Sequence, residues 1–309
     1  MGRHSDTRTS AGVEDGVGLT ALMVAAARAI ETHRPDWLAQ DAYAEHFVRA
    51  AHASHRWPVH PSEVQGGEAN PLWGRLGRYF GLRTRVLDDH LLDAVHAGAR
   101  QVVLLGAGLD TRAYRLAWPP GLGVYEIDHA EVLAFKQHVL DELGATPATT
   151  RTPIAADLCG NWATALVAAG FDPTAPTAWL AEGVFLYLPS TAEHRLIETV
   201  DRLSAPGSSL AYEVKLVRER LEVRDSPVYT STREQIGVDL LALFDGDPRP
   251  DSAHHLTTKS WTTTTRTPFD FTTHHGRGPR PEPNDALAAN RWIFATTPTH
   301  TAPATSGRG

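Results

Sequence analysis

The stretch Gln101-Val-Val-Leu-Leu-Gly-Ala-Gly-Leu-Asp-Thr-Arg-Ala-Tyr-Arg-Leu116, followed by Val124-Tyr-Glu-Ile-Asp128, decides the fold. Gln101 to Leu105 reads as a short buried strand that ends at Gly106-Ala107-Gly108. Glycines at such a strand end let the backbone turn tightly and approach a ligand with no side chain in the way. A G-x-G pair alone is a weak signal. The second apolar run strengthens it. Its last residue, Asp128, follows Gly106 by about 20 positions, the spacing at which an acid on the next strand meets the ribose hydroxyls of a bound adenosine. A carboxylate can accept from both hydroxyls at once. Asp128 also stands where it could cap a helix starting near His129.

Outward from this unit the rhythm repeats. Apolar runs at Thr152–Ala156, Ala178–Ala181 and Ser209–Val214 alternate with helical patterns at Glu131–Leu143, Asn161–Ala169 and Thr191–Ser204. The expected fold class is therefore α/β, a doubly wound, mostly parallel sheet with right-handed crossovers and both faces covered. Upstream, apolar spacing predicts helices over Leu19–Thr32 and Asp41–His52, the second with Asp41 as N-cap. A Gly/Pro-rich connector, Trp57 to Gly74, leads to a third helix beginning near Arg83 and stopping at Gly98. Downstream, Thr262–Thr265 and Asn290–Thr296 suit extended chain. The expected organisation is a disordered 1–18 and a single domain over 19–297, followed by a disordered tail over 298–309. Within the domain, 19–98 is a helical cap, 99–215 the cofactor-binding core, and 216–297 a lid and sheet-closing part.

The bulk numbers exclude several classes. The 309 residues are 42% hydrophobic and 21% charged, ordinary for a soluble protein with a sizeable core. Net charge is −7 with both signs interspersed, so the basic footprint of a nucleic-acid partner is missing. Arg75, Arg78, Arg83 and Arg85 form one basic cluster, readable as a local anion site or a solvated face. The single cysteine, Cys159, allows no disulfide within the chain and suits a reducing compartment. The apolar run Leu19–Ala27 is too short to span a bilayer and follows acidic residues, unlike a secretory signal. The expectation is a cytoplasmic protein without a membrane partner.

Which adenosine ligand is expected follows from what the glycine loop lacks. A dinucleotide fingerprint has a third glycine beside the pyrophosphate, and here Thr111 holds that position. Asp110 would repel a pyrophosphate but could receive an ammonium or a sulfonium, and S-adenosylmethionine carries both. Two further strand ends agree: Ala156-Asp157-Leu158 could bind and pack on an adenine, and Ala181-Glu182-Gly183 adds a third carboxylate.

Together these residues resemble the leucine carboxyl methyltransferase-like family, most closely its actinobacterial branch of S-adenosylmethionine-dependent methyltransferases. The match continues through Tyr125–Asp128, Ala156–Leu158, Ala181–Pro189 and Ala205–Ser209, and includes Ala27–Ala29 and Arg83–Arg85. The resemblance implies a class I methyltransferase fold, Rossmann-like, with S-adenosyl-L-methionine as cofactor. Carried over by position, Gly106 and Gly108 would line the methionine end, Asp128 the ribose, and Asp157 with Leu158 the adenine. Glu182 would sit near the amino group, and Arg83 (or else Arg85) would pair with the carboxylate. Arg28 matches a basic position that reaches the cofactor, with an exposed helix charge as the competing reading. The family's Gly-Trp pair is here Ser260-Trp261, and Pro227–Pro283 departs from the pattern, which leaves the acceptor open.

The expected reaction is methyl transfer to a hydroxyl or carboxylate of a small molecule, such as a polyketide or other secondary metabolite. The alternatives are an inactive cofactor-binding or interaction protein on the same fold, or an NAD-dependent oxidoreductase. No catalytic base is assigned, since Tyr187, His129 and His194 each read better as packing or helix-start residues. The pairs His254-His255 and His274-His275 lack an H-E-x-x-H pattern or a cysteine partner, so no metal is expected.

Overall fold

The computed structural model describes residues 12–215, 221–244, 246, 248 and 250–299. The expected disorder over 1–11 and 300–309 lies outside these. Within them, Val13 is already buried, and the carbonyl of Pro298 accepts from Gly207 N at 3.0 Å.

Three helices come first: α1 (Val17–Thr32), α2 (Ala44–Ala50) and α3 (Gly77–His96). Then β1 (Gln101–Leu105), α4 (Arg112–Arg115), β2 (Gly123–Asp128), α5 (Ala130–Glu142), β3 (Thr150–Ala155) and α6 (Trp162–Ala168) alternate. They continue as β4 (Thr177–Ala181), α7 (Ser190–Arg202) and β5 (Ser209–Lys215). Four short helices follow, α8 (Leu221–Arg224), α9 (Pro227–Ile236), α10 (Leu240–Leu243) and α11 (Ser252–Thr258). The described fold closes with β6 (Thr262–Arg266), α12 (Pro268–His275) and β7 (Asn290–Thr296).

Among the described residues the strands form one seven-stranded sheet in the order β3-β2-β1-β4-β5-β7-β6. Pairs among β1 to β5 are parallel, and β7 runs antiparallel to both β5 and β6. The expected α/β class, a doubly wound and mostly parallel sheet, is what the chain adopts. Alternate residues feed two cores. Val102, Leu104, Val124, Leu180 and Ala211 join α1 and α3 on one face. Val103, Leu105, Ile127, Trp179 and Leu210 pack on the other face with Trp162 of α6 and Leu196 and Ile197 of α7. The helical preface is thus the cover of one sheet face. Strand order reverses between β1 and β4, and the crevice outside the carboxyl ends at such a reversal is where sheets of this kind bind ligands.

Two boundaries differ from the sequence reading. α3 begins at Gly77, not near Arg83, and continues from a π-helical turn over Pro71–Leu76 inside the supposed connector. Glycines normally weaken a helix. Gly81 is needed for close packing, since a Cβ there would lie 2.7 Å from Glu31 Cδ of α1. α2 begins at Ala44, and Asp41 is not its N-cap but the buried partner of Arg28, at 2.8 Å. Between α11 and β6, Ser260 takes φ +69°, the left-handed region where glycine is at ease, and Trp261 beside it is buried. Among the described residues no helix is long and apolar enough to cross a membrane.

Candidate functional site

The chain leaves β1 through Gly106 and Gly108, at φ +69° and +45°. Gly106 N and Ala107 N both donate to the carbonyl of Ile127, at 2.9 and 3.0 Å, which pins the loop to the end of β2. One residue on, Asp128 Oδ2 accepts from Gly108 N at 2.6 Å and Oδ1 from His129 N at 2.7 Å. Asp128 therefore ties the glycine loop and holds the N–H of His129, the residue that precedes α5. Burial pushes its carboxyl above the usual range, against the pull of these two N–H donors. A Cβ at Gly106 would stand 2.5 Å from Val184 Cγ2 and 3.7 Å from Leu158 Cδ1, and one at Gly108 3.6 Å from Ala21 Cβ. The glycine loop is thus packed closely against Val184, Leu158 and Ala21 of α1, with room for backbone only.

The carboxylate at the end of β4 organises the charges. Glu182 Oε1 accepts from Arg83 Nε at 2.9 Å and Oε2 from Arg112 Nη1 at 2.7 Å. Burial would raise this carboxyl, but Arg112, Arg83 and Arg28 together hold it down to about 2. Arg83 Nη1 also donates to Glu213 Oε2 of β5 at 2.7 Å. Burial pushes Glu213 up to about 7. Its other oxygen is the acceptor for Tyr79 OH, and Asn290 Nδ2 donates to that hydroxyl at 2.8 Å. Arg112 Nε reaches Asp88 of α3 at 2.7 Å, and Asp88 accepts from Arg115 as well, also at 2.7 Å.

Each residue picked from the sequence can be placed against this frame. Gly106 packs near Leu158, Gly108 N bonds to Asp128, and Arg83 pairs with Glu182, all at the carboxyl ends of β1, β2 and β4. Asp157 is exposed just past β3, with Oδ1 accepting from Cys159 N at 2.8 Å. Arg28 is a strut: Nη2 donates to the carbonyl of Leu109 at 2.7 Å while Nε holds Asp41. Arg85 is half-buried and pairs with Asp89 one turn along, whereas Arg83 is the arginine that pairs with Glu182. The basic cluster is no anion site, because Arg75 pairs with Asp285 and Arg78 with Asp36 and Glu68. Asp110 is not free to meet a ligand cation. Its Oδ1 accepts from Arg112 N at 2.7 Å, and Arg112 Nη1 donates to its Oδ2. Sequence reasoning missed Arg112, Glu213, Asp88 and Tyr79. Only the Asp110–Arg112 spacing, a short helix-start turn, carried a signal for any of them.

A second polar group lies beyond β5. Lys215 Nζ donates to Tyr229 OH at 2.6 Å and stands 5.3 and 5.1 Å from the ring centroids of Tyr229 and Phe244. The Phe244 ring lies 6.0 Å from that of Tyr187. Since Ala181 at the end of β4 pairs with Tyr212, Lys215 sits at the same carboxyl edge as Glu182.

The family model of leucine carboxyl methyltransferases matches residues 21–201. A Streptomyces coelicolor protein is 65% identical over 290 residues, covering 94% of this chain and 95% of its own. One from Saccharopolyspora erythraea is 46% identical over 250 residues, covering 81% and 84%. Both carry the name "Putative S-adenosyl-L-methionine-dependent methyltransferase". Among solved structures, a DUF574 family protein from Streptomyces avermitilis superposes with a TM-score of 0.52 at 17% identity, over 82% of this chain and 97% of that one. That likeness bears on the fold alone.

The site itself suits the cofactor these relatives are named for. Asp128 at the end of β2 and the ionised Glu182 just past β4 are carboxylates, the chemistry that hydroxyls and an ammonium call for. With its class I methyltransferase fold, the chain belongs to the leucine carboxyl methyltransferase family and is an S-adenosylmethionine-dependent methyltransferase.

Proposed function

We propose that the protein is an O-methyltransferase acting in the cytoplasm on a hydroxyl or carboxylate of a small molecule, of the polyketide or other secondary-metabolite kind. The observation that carries this is the Lys215 ammonium, set against the rings of Tyr229 and Phe244 at the same sheet edge as the cofactor crevice. A cation with aromatic walls suits a flat acceptor bearing an anionic or hydrogen-bonding oxygen. The bulky, negatively charged surface of a nucleic acid would find no matching basic face in a chain of net charge −7.

In this reading Gly106 and Gly108 give the methionine end its space, and Asp128 accepts from the ribose hydroxyls. Asp157 and Leu158 meet the adenine, Glu182 the ammonium, and Arg83 the carboxylate. Arg28 acts on the cofactor through the loop it braces at Leu109. Bound S-adenosylmethionine supplies an electrophilic methyl group on a sulfonium. The residues of the chain have the remaining task of aligning the acceptor oxygen with that methyl and excluding water. A carboxylate acceptor needs no base, being ionised at neutral pH, whereas a hydroxyl would need one within reach.

The test incubates the full chain with methyl-labelled cofactor and a panel of small carboxylic acids, phenols and amines. Label released as methanol by mild base marks a methyl ester, and base-stable label on a phenol marks an ether. Label found only on nitrogen, carbon or macromolecules overturns the reading. Lys215→Met should raise the KM for an active acceptor while leaving cofactor binding intact, and an unchanged KM would remove Lys215 from the acceptor site.

A further inference from the structure

On the surface where α7 meets α11, three metal-competent side chains come together that the sequence keeps apart. His194 and Glu198 stand one turn apart on α7, and His255 of α11, 57 positions from Glu198, bonds through Nε2 to Glu198 Oε1. His194 Nε2 lies 4.0 Å from the same oxygen, and the two imidazole centroids are 4.7 Å apart. The three ligand atoms all fall within 4.8 Å of one another. An ion bound at about 2.0–2.2 Å from each atom needs them roughly 3–4 Å apart, a small rotamer adjustment for half-exposed side chains.

The carboxylate is also braced from behind. Lys259 donates to Glu198 Oε2 at 2.9 Å and is itself held by Asp201 at 3.2 Å. Asp201 in turn accepts from the indole N–H of buried Trp261 at 2.8 Å. This leaves Oε1 turned toward both rings while Oε2 is fixed, as a ligating carboxylate is fixed by its outer partners.

We propose that His194, Glu198 and His255 bind a divalent transition-metal ion of the zinc class, completed by water, that fastens α7 to α11. Two imidazoles and one carboxylate oxygen are too few oxygens for calcium or magnesium, and they match zinc, nickel or copper. The Lys259 ammonium partly cancels the carboxylate charge, which disfavours hard cations further. Because α11 leads directly through Ser260 into β6, such an ion would fasten the C-terminal strands to the parallel core. The site stands apart from the crevice residues, so it is independent of the methyl-transfer reading.

The test uses the full chain, stripped with chelator and titrated by calorimetry with zinc chloride, with magnesium chloride as control. With 16 histidines in the chain, the variants carry the assignment. Wild type should take one zinc with high affinity and none of the magnesium. His194→Ala, His255→Ala and Glu198→Gln should each weaken zinc binding more than about tenfold, as even outer partners are worth 10- to 100-fold. Zinc should also raise the melting temperature of wild type and not that of the His194→Ala/His255→Ala protein. This comparison is made within each protein, so it holds whatever the variants do to basal stability. Equal zinc affinity in the double variant, or no one-to-one zinc binding by wild type, overturns the proposal and leaves the trio a plain hydrogen-bonded cluster.

Discussion

Replacing Gly106 by alanine tests the crevice at its tightest point, and the structure sets the size of the effect in two parts. The first is backbone strain. At φ +69° an L-residue costs about 1–2 kcal/mol. The second is a collision, because the new Cβ would lie 2.5 Å from Val184 Cγ2. Val184 is β-branched and stiff at χ1, so its displacement adds roughly 1–3 kcal/mol of overpacking. Gly106→Ala should therefore lose about 2–5 kcal/mol in urea denaturation, as the sum of these two costs. It should also weaken binding of S-adenosylhomocysteine more than about tenfold, because about 1.4 kcal/mol of lost contact already has that effect.

Val184→Ala separates the two parts. In the double variant the obstructing methyls are gone and the strain remains. The two substitutions should then couple favourably by about 1 kcal/mol, within the range seen for touching residues. Additive losses would refute the contact between Gly106 and Val184. A Gly106→Ala protein within about 0.5 kcal/mol of wild type, with unchanged cofactor affinity, would refute the reading of the loop altogether, since surface changes without structural consequence fall in that range.

Three more outcomes follow from named contacts. Asp128→Asn should reduce S-adenosylhomocysteine affinity by about 10- to 100-fold, the worth of hydrogen bonds to a charged group, and equal affinity by calorimetry would remove Asp128 from the ribose site. Ser260→Gly should raise stability by about 0.5–1 kcal/mol, the left-handed strain at φ +69° less glycine's entropic cost, and a lower denaturation midpoint would refute it. Glu182, held at about 2 against an ordinary 4.5, contributes stability that is present above pH 4.5 and lost as pH falls toward 2. The ceiling is about 3 kcal/mol at 1.36 kcal/mol per unit. The stability gap between wild type and Glu182→Gln should accordingly shrink below pH 4.5, and a constant gap from pH 7 to pH 3 would show that Glu182 does not titrate as the structure requires.

The sheet was legible because its strands are short apolar runs bounded by turn residues, and β1 and β7 begin and end where the pattern does. The start of α3 was not. The Gly/Pro-rich composition before it reads as connector, and only the close approaches of Glu68 at Gly74 and of Glu31 at Gly81 show why glycine stands in this helical stretch. Ser260 is the opposite case: the family's glycine is gone, yet the backbone keeps the glycine conformation. In the site, the acids at strand ends could be found because topology fixes where a strand end must lie. Their partners could not, since Arg83 meets Glu213 across 130 positions and Arg112 meets Glu182 across 70.

One physical argument from the sequence has to be replaced. Asp110 was read as the charge that repels a pyrophosphate, but Arg112 already pairs with it. Under the proposed placement of the cofactor, the charges that select it lie deeper, in a buried line running Asp88, Arg112, Glu182, Arg83, Glu213. Signs alternate along it, and stranding any member costs roughly 3–5 kcal/mol. A ligand that brings only negative charge would separate a carboxylate from its guanidinium and leave one of them unpaired. An amino acid end brings an ammonium and a carboxylate together. Placed, as proposed, at the 2.9 Å link between Glu182 and Arg83, it sets its ammonium on Glu182 and its carboxylate on Arg83. The alternation is preserved with two more members. Under that proposal, selection of S-adenosylmethionine over a dinucleotide rests on the zwitterion matching this line, and not on repulsion at the glycine loop.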